Sequence, residues 1–374
     1  MGVTTDRRRP LHVFLVEVPG NGAVRIALEA AAASAGHVLA IHPAESDVLL
    51  VCGTPGPEMR TVIDRVWDQM PYPKHRAALT RPNEIGTIFT NAQDSLTDRR
   101  AQRSAAREDG IDGRHLAEVG PDHEPPNAEH PDDTDESMHE HDMPTGGHDM
   151  PMGGHDHMSM SGPGGYPLAD GADDRDGLEM DVLHRRLGPI LPVWPAGVIL
   201  DVTLAGDTIT DASASVIDVD DHKRAESQNE AAFALDQAAQ ILAVAGWDAT
   251  AARTLRVRDL AVTGRRDQAR ERIRPLRRRI ERSVMLRWSL RGLQVRSAVD
   301  VRTVLLTRLE RADAALNGRQ FEPEPATSVD EIPALVKGRD IGSARLVVAA
   351  LTLHPSRRTD TTDEAGTTTR HQHG

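Results

Sequence analysis

The sequence predicts an α/β domain with a parallel sheet, then a disordered His/Met-rich linker, then a β-hairpin that leads into a mainly α-helical domain. Three observations carry this. Strand-like and helix-like runs alternate up to about residue 97, hydrophobic periodicity vanishes over 98–180, and two β-rich runs around a Gly-Asp turn precede a series of helical segments. The boundaries expected are therefore 1–97, 98–180 and 181–356, with a flexible tail over 357–374. A chain of 374 residues is long enough for two or three such domains.

Each element follows from its residues. "HVFLVEV" (His12–Val18) is a β-rich run ended by Pro19-Gly20, and its start is too short and too soon interrupted to be a secretion signal. "AVRIALEAAAASAG" (Ala23–Gly36) is Ala-rich and helical, with Gly36 as its stop. "VLAI" and "DVLLVCG" follow as strands, the second apolar throughout, as a strand covered on both faces must be. Pro57–Met70 begins with proline at the first helical position and spaces Met59, Val62, Ile63, Val66 and Trp67 along one face. "HRAALT" closes a small flavodoxin-like parallel layer. Beyond the linker, two strands flank Ala205-Gly206-Asp207 as a hairpin. Helices are expected over Ala231–Ala245, Asp248–Leu260 and Asp267–Leu293, the last kinked or started by Pro275, then near Val299–Ala315 and Ala344–Leu353. Trp67, Trp247 and Trp288 are expected in the core. Asp218, Asp220, Asp221 and His222 read as a solvated turn.

Charge is unevenly spread. The net value is −13, yet Pro121–Met180 holds sixteen acids against Arg175 alone, and Ala261–Arg296 holds twelve Arg against Asp267, Glu271 and Glu281. Blocks of one sign are tails or contact surfaces. The Arg block reads as the solvated face of an amphipathic helix, or as a surface for an acidic partner or the acidic linker. Net negative charge and the lack of a reading motif argue against nucleic acid. Cys52, the one cysteine, excludes an internal disulfide and any site built from several thiolates. It is expected to be an inert core thiol. No stretch approaches the ~18–20 apolar residues of a membrane span, so a cytoplasmic protein is expected, peripheral at the inner face of the cell membrane through its partners. "VPGNG" sits where a phosphate loop would, but lacks the Lys-Ser/Thr that such a loop needs.

The linker carries a seven-residue repeat, HDMPTGG, HDMPMGG and HDHMSMS, from His141 to Ser161. Pro and Gly-Gly exclude a coiled coil. Imidazole suits copper, nickel and zinc, and thioether suits Cu(I), so His139, His141, Met143, His148, Met150, Met152, His155, His157, Met158 and Met160 are the candidate ligands for Cu, Ni or Zn. The other reading is a flexible acidic tether expanded by duplication.

"WDQMPYPK" (Trp67–Lys74), after "SDVLLVCGTPGPEM", resembles the "DQMPEPK" signature of the small, 20 kDa-type iron–sulfur subunit of NADH–quinone oxidoreductase (respiratory complex I) and of related [NiFe] hydrogenase small subunits. The resemblance spans about Leu11 to Thr80. Downstream, Leu183–Ala212 resembles the start of the large, 49 kDa-type quinone-site subunit, where a "GPQHPAAHG" segment precedes an "LxLDGExIxDA" hairpin. The resemblance implies a fusion of two partner subunits.

It also implies what is lost. The family's small subunit holds a [4Fe–4S] cluster on four cysteines, two of them in the loop after the first strand. That loop here, Val18–Val24, has none, and neither has "HRAALTRPNEIG". "GPILP" puts Leu191 where the family has His, and "VWPAG" replaces the "AAHG" whose His faces the quinone. There are no CxxC pairs for nickel. The expectation is a degenerate, redox-inactive scaffold or coupling subunit, with no [4Fe–4S] cluster and no catalysis of its own. Its partners would be antiporter-like membrane subunits or complex I- or hydrogenase-like redox subunits, with Arg265–Arg296 as the contact surface. The alternatives are a metal-handling protein that buffers or delivers nickel or copper, and an oxidoreductase whose cofactor is held by unrecognised residues.

Overall fold

The computed structural model describes residues 9–117, 169–173, 179–217, 229–322 and 324–354. The chain divides into two units, 1–103 with 169–374, and 104–168. The first opens with a parallel sheet of β1 (His12–Glu17), β2 (Val38–Leu39), β3 (Val48–Cys52) and β4 (His75–Leu79), in the order β2-β1-β3-β4. Helices α1 (Gly22–Ala35), α2 (Pro57–Asp68) and α3 (Ile85–Thr97) connect or follow the strands, and α4 (Arg99–Ala117) runs on into the second unit.

Every residue of β3 is buried, because the two faces of the sheet are both covered. Val48, Leu50 and Cys52 join a core with Leu28 of α1 and Phe89 of α3, while Leu49 and Val51 join a core with Met59 and Ile63 of α2. Period-two alternation sorts the strand between them. Gly36, at φ 76°, ends α1 and donates to Ala32 and Ala33.

The rest of the unit is an antiparallel sheet and a helical layer. Strands β5 (Ala169–Asp173), β6 (Glu179–Leu187), β7 (Val198–Ala205) and β8 (Thr208–Val216) pair in sequence order. Val198, Leu200, Val202 and Leu204 alternate inward along β7 onto α5 (Glu230–Val244), which is followed by α6 (Asp248–Val262), α7 (Arg266–Arg282) and α8 (Val284–Ser289). Asn229 caps α5: its Oδ1 accepts from the Ala232 amide at 3.0 Å, and its Nδ2 donates to the Ala261 carbonyl at the end of α6. The short β9 (Gln294–Arg296) and β10 (Val299–Asp300) lead to α9 (Val301–Leu316). The chain then passes β11 (Thr327–Ser328), α10 (Ile332–Val336), α11 (Ile341–Ala350) and β12 (Leu353–His354). Arg308 of α9, 1 % exposed, donates to the Ala349 and Ala350 carbonyls and so closes the end of α11.

Several expectations need correction. The segment expected to be disordered from 98 begins as helix α4, and β5 and the start of β6 lie within its far margin. Helix α3 was not expected at all. One helix over 267–293 is instead two, because Pro275 is accommodated inside α7 and the break comes at Ser283, whose hydroxyl caps α8. That break turns Trp288 outward, 77 % exposed, whereas Trp67 and Trp247 do pack against apolar cores. The group from Asp218 to His222 lies outside the described residues.

Candidate functional site

In an open α/β sheet, ligands sit outside the carboxyl ends of the strands where the strand order reverses. Here that point lies between β1 and β3, bordered by the Val18–Asn21 and Gly53–Gly56 loops. It is packed. Gly53 has φ 107°, and a Cβ there would overlap the Asn21 side chain. Asn21 itself is held by Nδ2 bonds to the Val18 and Pro19 carbonyls at 3.2 Å. A Cβ on Gly22 would meet the ring of Phe233, from α5, at 3.1 Å, and one on Gly197 would overlap Pro19. Side chains from both sequence halves occupy the crevice, and no thiol faces it. Cys52 lies under α1 and α3, fully buried, and burial first, then the Glu17 charge, pushes its thiol far above the ordinary range. An iron–sulfur cluster requires thiolates, and the residues at this loop do not fit one.

Below the crevice is a buried ion cluster. Arg25 of α1 donates to Glu17 at the end of β1 at 2.5 Å, to Glu29 one turn on at 2.7 Å, and to Asp236 of α5 at 2.5 Å. Arg258 of α6, 2 % exposed, donates to the same Glu29 and Asp236 at 2.5 and 2.6 Å, and to Asp259 at 2.8 Å. Gln240 donates to Asp236 at 3.0 Å. The two guanidinium forks thus join α1 to α5 and α6 through two shared carboxylates, Glu29 and Asp236.

Two cations face four carboxylates, so full ionisation would leave negative charge uncompensated where polarity is low. The shifts follow from that imbalance. Burial pushes the Glu17 carboxyl up, Arg25 offsets only part of this, and Asp236 and Glu29 add to it. Burial likewise raises Asp259 despite Arg258. Burial would also raise Asp236, but Arg25 and Arg258 together outweigh it and hold it below the aspartate range. The imbalance therefore shows at Glu17 and Asp259, the two carboxyls pushed above their ordinary range.

A cavity of about 350 Å³ opens beside it, with Glu17, Arg25 and Asp236 on its polar side and Ile41, Leu191 and Trp194 on its apolar side. Val193, in the same wall, holds φ 55°, a left-handed conformation that a β-branched residue rarely adopts. An apolar cavity with a few convergent polar groups and a displaced pKa is the general form of a small-molecule site.

None of these charged residues was singled out from the sequence. Glu17 stands alone in an apolar strand, and that was the one available signal. The ten His and Met ligands expected between His139 and Met160 lie outside the described residues. Among the described residues, no three His, Cys, Asp or Glu are grouped to hold a metal ion, and no helix is long and apolar enough to cross a membrane. No family model matches the chain, and no match is found among curated proteins or solved structures.

Proposed function

We propose that this protein is a redox-inactive scaffold or coupling subunit of a complex I-like or hydrogenase-like assembly, with counterparts of the small and large subunits fused in one chain. The observation that carries the reading is the filled crevice after β1. The resemblance assigns that loop two cluster cysteines, and it holds instead Pro19, Asn21 and the ring of Phe233. The strand order supports a flavodoxin-like first layer. The Arg25–Asp236–Arg258 cluster supports a fixed pairing of the two halves, since each buried charge depends on partners from the other half. Leu191, which stands where the resemblance puts a family His, lies on the cavity wall together with Val193, Trp194 and Ala196 of the "VWPAG" segment.

The test is mild-detergent isolation of the tagged protein from its native host. Antiporter-like membrane subunits or cluster-bearing redox subunits are expected to co-purify. A protein recovered alone and monomeric, or one whose anaerobic preparation contains stoichiometric iron with visible absorption, overturns the reading. Metal handling by the His/Met repeat is the second reading and rests on the sequence of His139–Met160. It requires several copper or nickel ions per chain in equilibrium dialysis, lost when His141, His148, His155 and His157 are replaced by Ala.

A further inference from the structure

We propose that the α7–α8 corner is a docking surface for a lipid bilayer containing anionic phospholipid, reached directly rather than through a partner subunit. Helix α7 buries Ala269, Ile273, Leu276 and Ile280 and turns Arg272, Arg274, Arg278, Arg279 and Arg282 outward. Arg274, Arg278, Arg279 and Arg282 line one shallow recess around Pro275. The acids of this helix do not neutralise them: Glu281 is tied to Arg277 at 2.6 Å, Asp267 to Arg270 at 2.8 Å, and Glu271 forms no ion pair with the recess arginines among the described residues. Among the described residues, no carboxylate pairs with the four recess arginines or with Arg287.

Helix α8 adds the apolar part. It anchors itself through buried Leu286, with Leu290 just beyond, and this leaves Val284, Met285 and Trp288 on the opposite face, 63, 75 and 77 % exposed. Their spacing of one, three and four residues puts them on one side of the helix. Three large apolar side chains projecting from one short helix are costly in water, and next to guanidinium groups without carboxylate partners they match an interface that is apolar within and phosphate-lined at its rim. Tryptophan settles at headgroup depth, and arginine pairs two-pronged with phosphate.

Charge complementarity names the lipid as anionic, and the projecting apolar face distinguishes a bilayer from a purely acidic ligand, for which charge alone would suffice. The chain's net charge of −13 makes the local concentration of arginine the feature that must act.

The experiment is co-sedimentation of the full chain with vesicles of phosphatidylcholine alone and with added phosphatidylglycerol. Binding is expected to the anionic vesicles, weakening with salt. Arg278→Gln with Arg282→Gln should weaken it by roughly fivefold per arginine. Met285→Ser with Trp288→Ser should abolish it while the thermal transition stays in place, since both side chains are exposed. The proposal is overturned if anionic vesicles are not bound, or if both double variants bind as the parent does. It is equally overturned if the surface captures an acidic protein from native extract while vesicles of either kind stay free. None of these outcomes depends on the complex I-like reading.

Discussion

Glu17 and Asp236 belong to one cluster, yet their pKa values move in opposite directions, and this separates their effects on stability. Glu17 is raised, so its favourable contribution is complete in acid and is lost as pH rises through its elevated value. Glu17→Gln removes that loss: its melting temperature should match the parent near pH 4 and exceed it increasingly toward neutrality. Asp236 is lowered, so its contribution is present at neutral pH and lost only as pH falls below the aspartate range. Asp236→Asn leaves Arg25 and Arg258 short of a buried partner and should cost about 3–5 kcal/mol at pH 7 in urea titration. This chemistry was hardly legible in sequence. Arg25 and Glu29 sit four residues apart, like any surface helix pair, and apart from Glu17 their other partners are more than two hundred positions away. By contrast the "WDQMPYPK" run acquires a structural meaning at once: the Lys74 ammonium lies 4.4 Å from the Trp67 ring and 4.7 Å from the Tyr72 ring, and bonds the Trp67 carbonyl.

At the scale of elements, legibility tracked how strongly local chemistry dictated the outcome. Proline at the start of α2 and glycine after α1 each fix a backbone state by themselves, and both read correctly. Helix α3 went unread because only Ile85, Phe89 and Ala92 are buried along its thirteen residues, a stripe too thin to stand out from the polar ones. The long helix expected over 267–293 failed at Ser283, since a serine cap is visible only once the chain has turned there. Helix α7 offers a sharp contrast. Ile273→Ala empties a fully buried position and should destabilise by about 2–5 kcal/mol. Pro275→Ala restores a missing amide in the middle of the same helix, at an exposed position, and should stabilise by up to about 3 kcal/mol. Both are measurable by chemical denaturation of single variants.

At the scale of the molecule, the first unit brings together segments on either side of residues 104–168, and the junction combines the ion cluster with an apolar contact, Ile217 among Phe14, Val16 and Met59. That folded segments flank a stretch without hydrophobic periodicity was legible in the sequence. That the halves share one core was not, because neither half's sequence names the residues it needs from the other. A protease site inserted between 121 and 160 supplies the test: after cleavage the two fragments should elute together in gel filtration, and Asp236→Asn combined with Glu29→Gln should let them separate.

The same apolar contact has a consequence during synthesis. The face of the sheet formed by Phe14, Val16, Leu49 and Val51 is assembled once Met70 has left the ribosome, but Ile217, which completes its cover, follows roughly 150 residues later, about 8–30 s at ordinary elongation rates. For that interval the nascent chain carries an open apolar flank, the kind of surface through which incomplete chains aggregate. Residues 1–117 made alone should therefore be insoluble, and supplying 169–374 in trans should bring them back into solution.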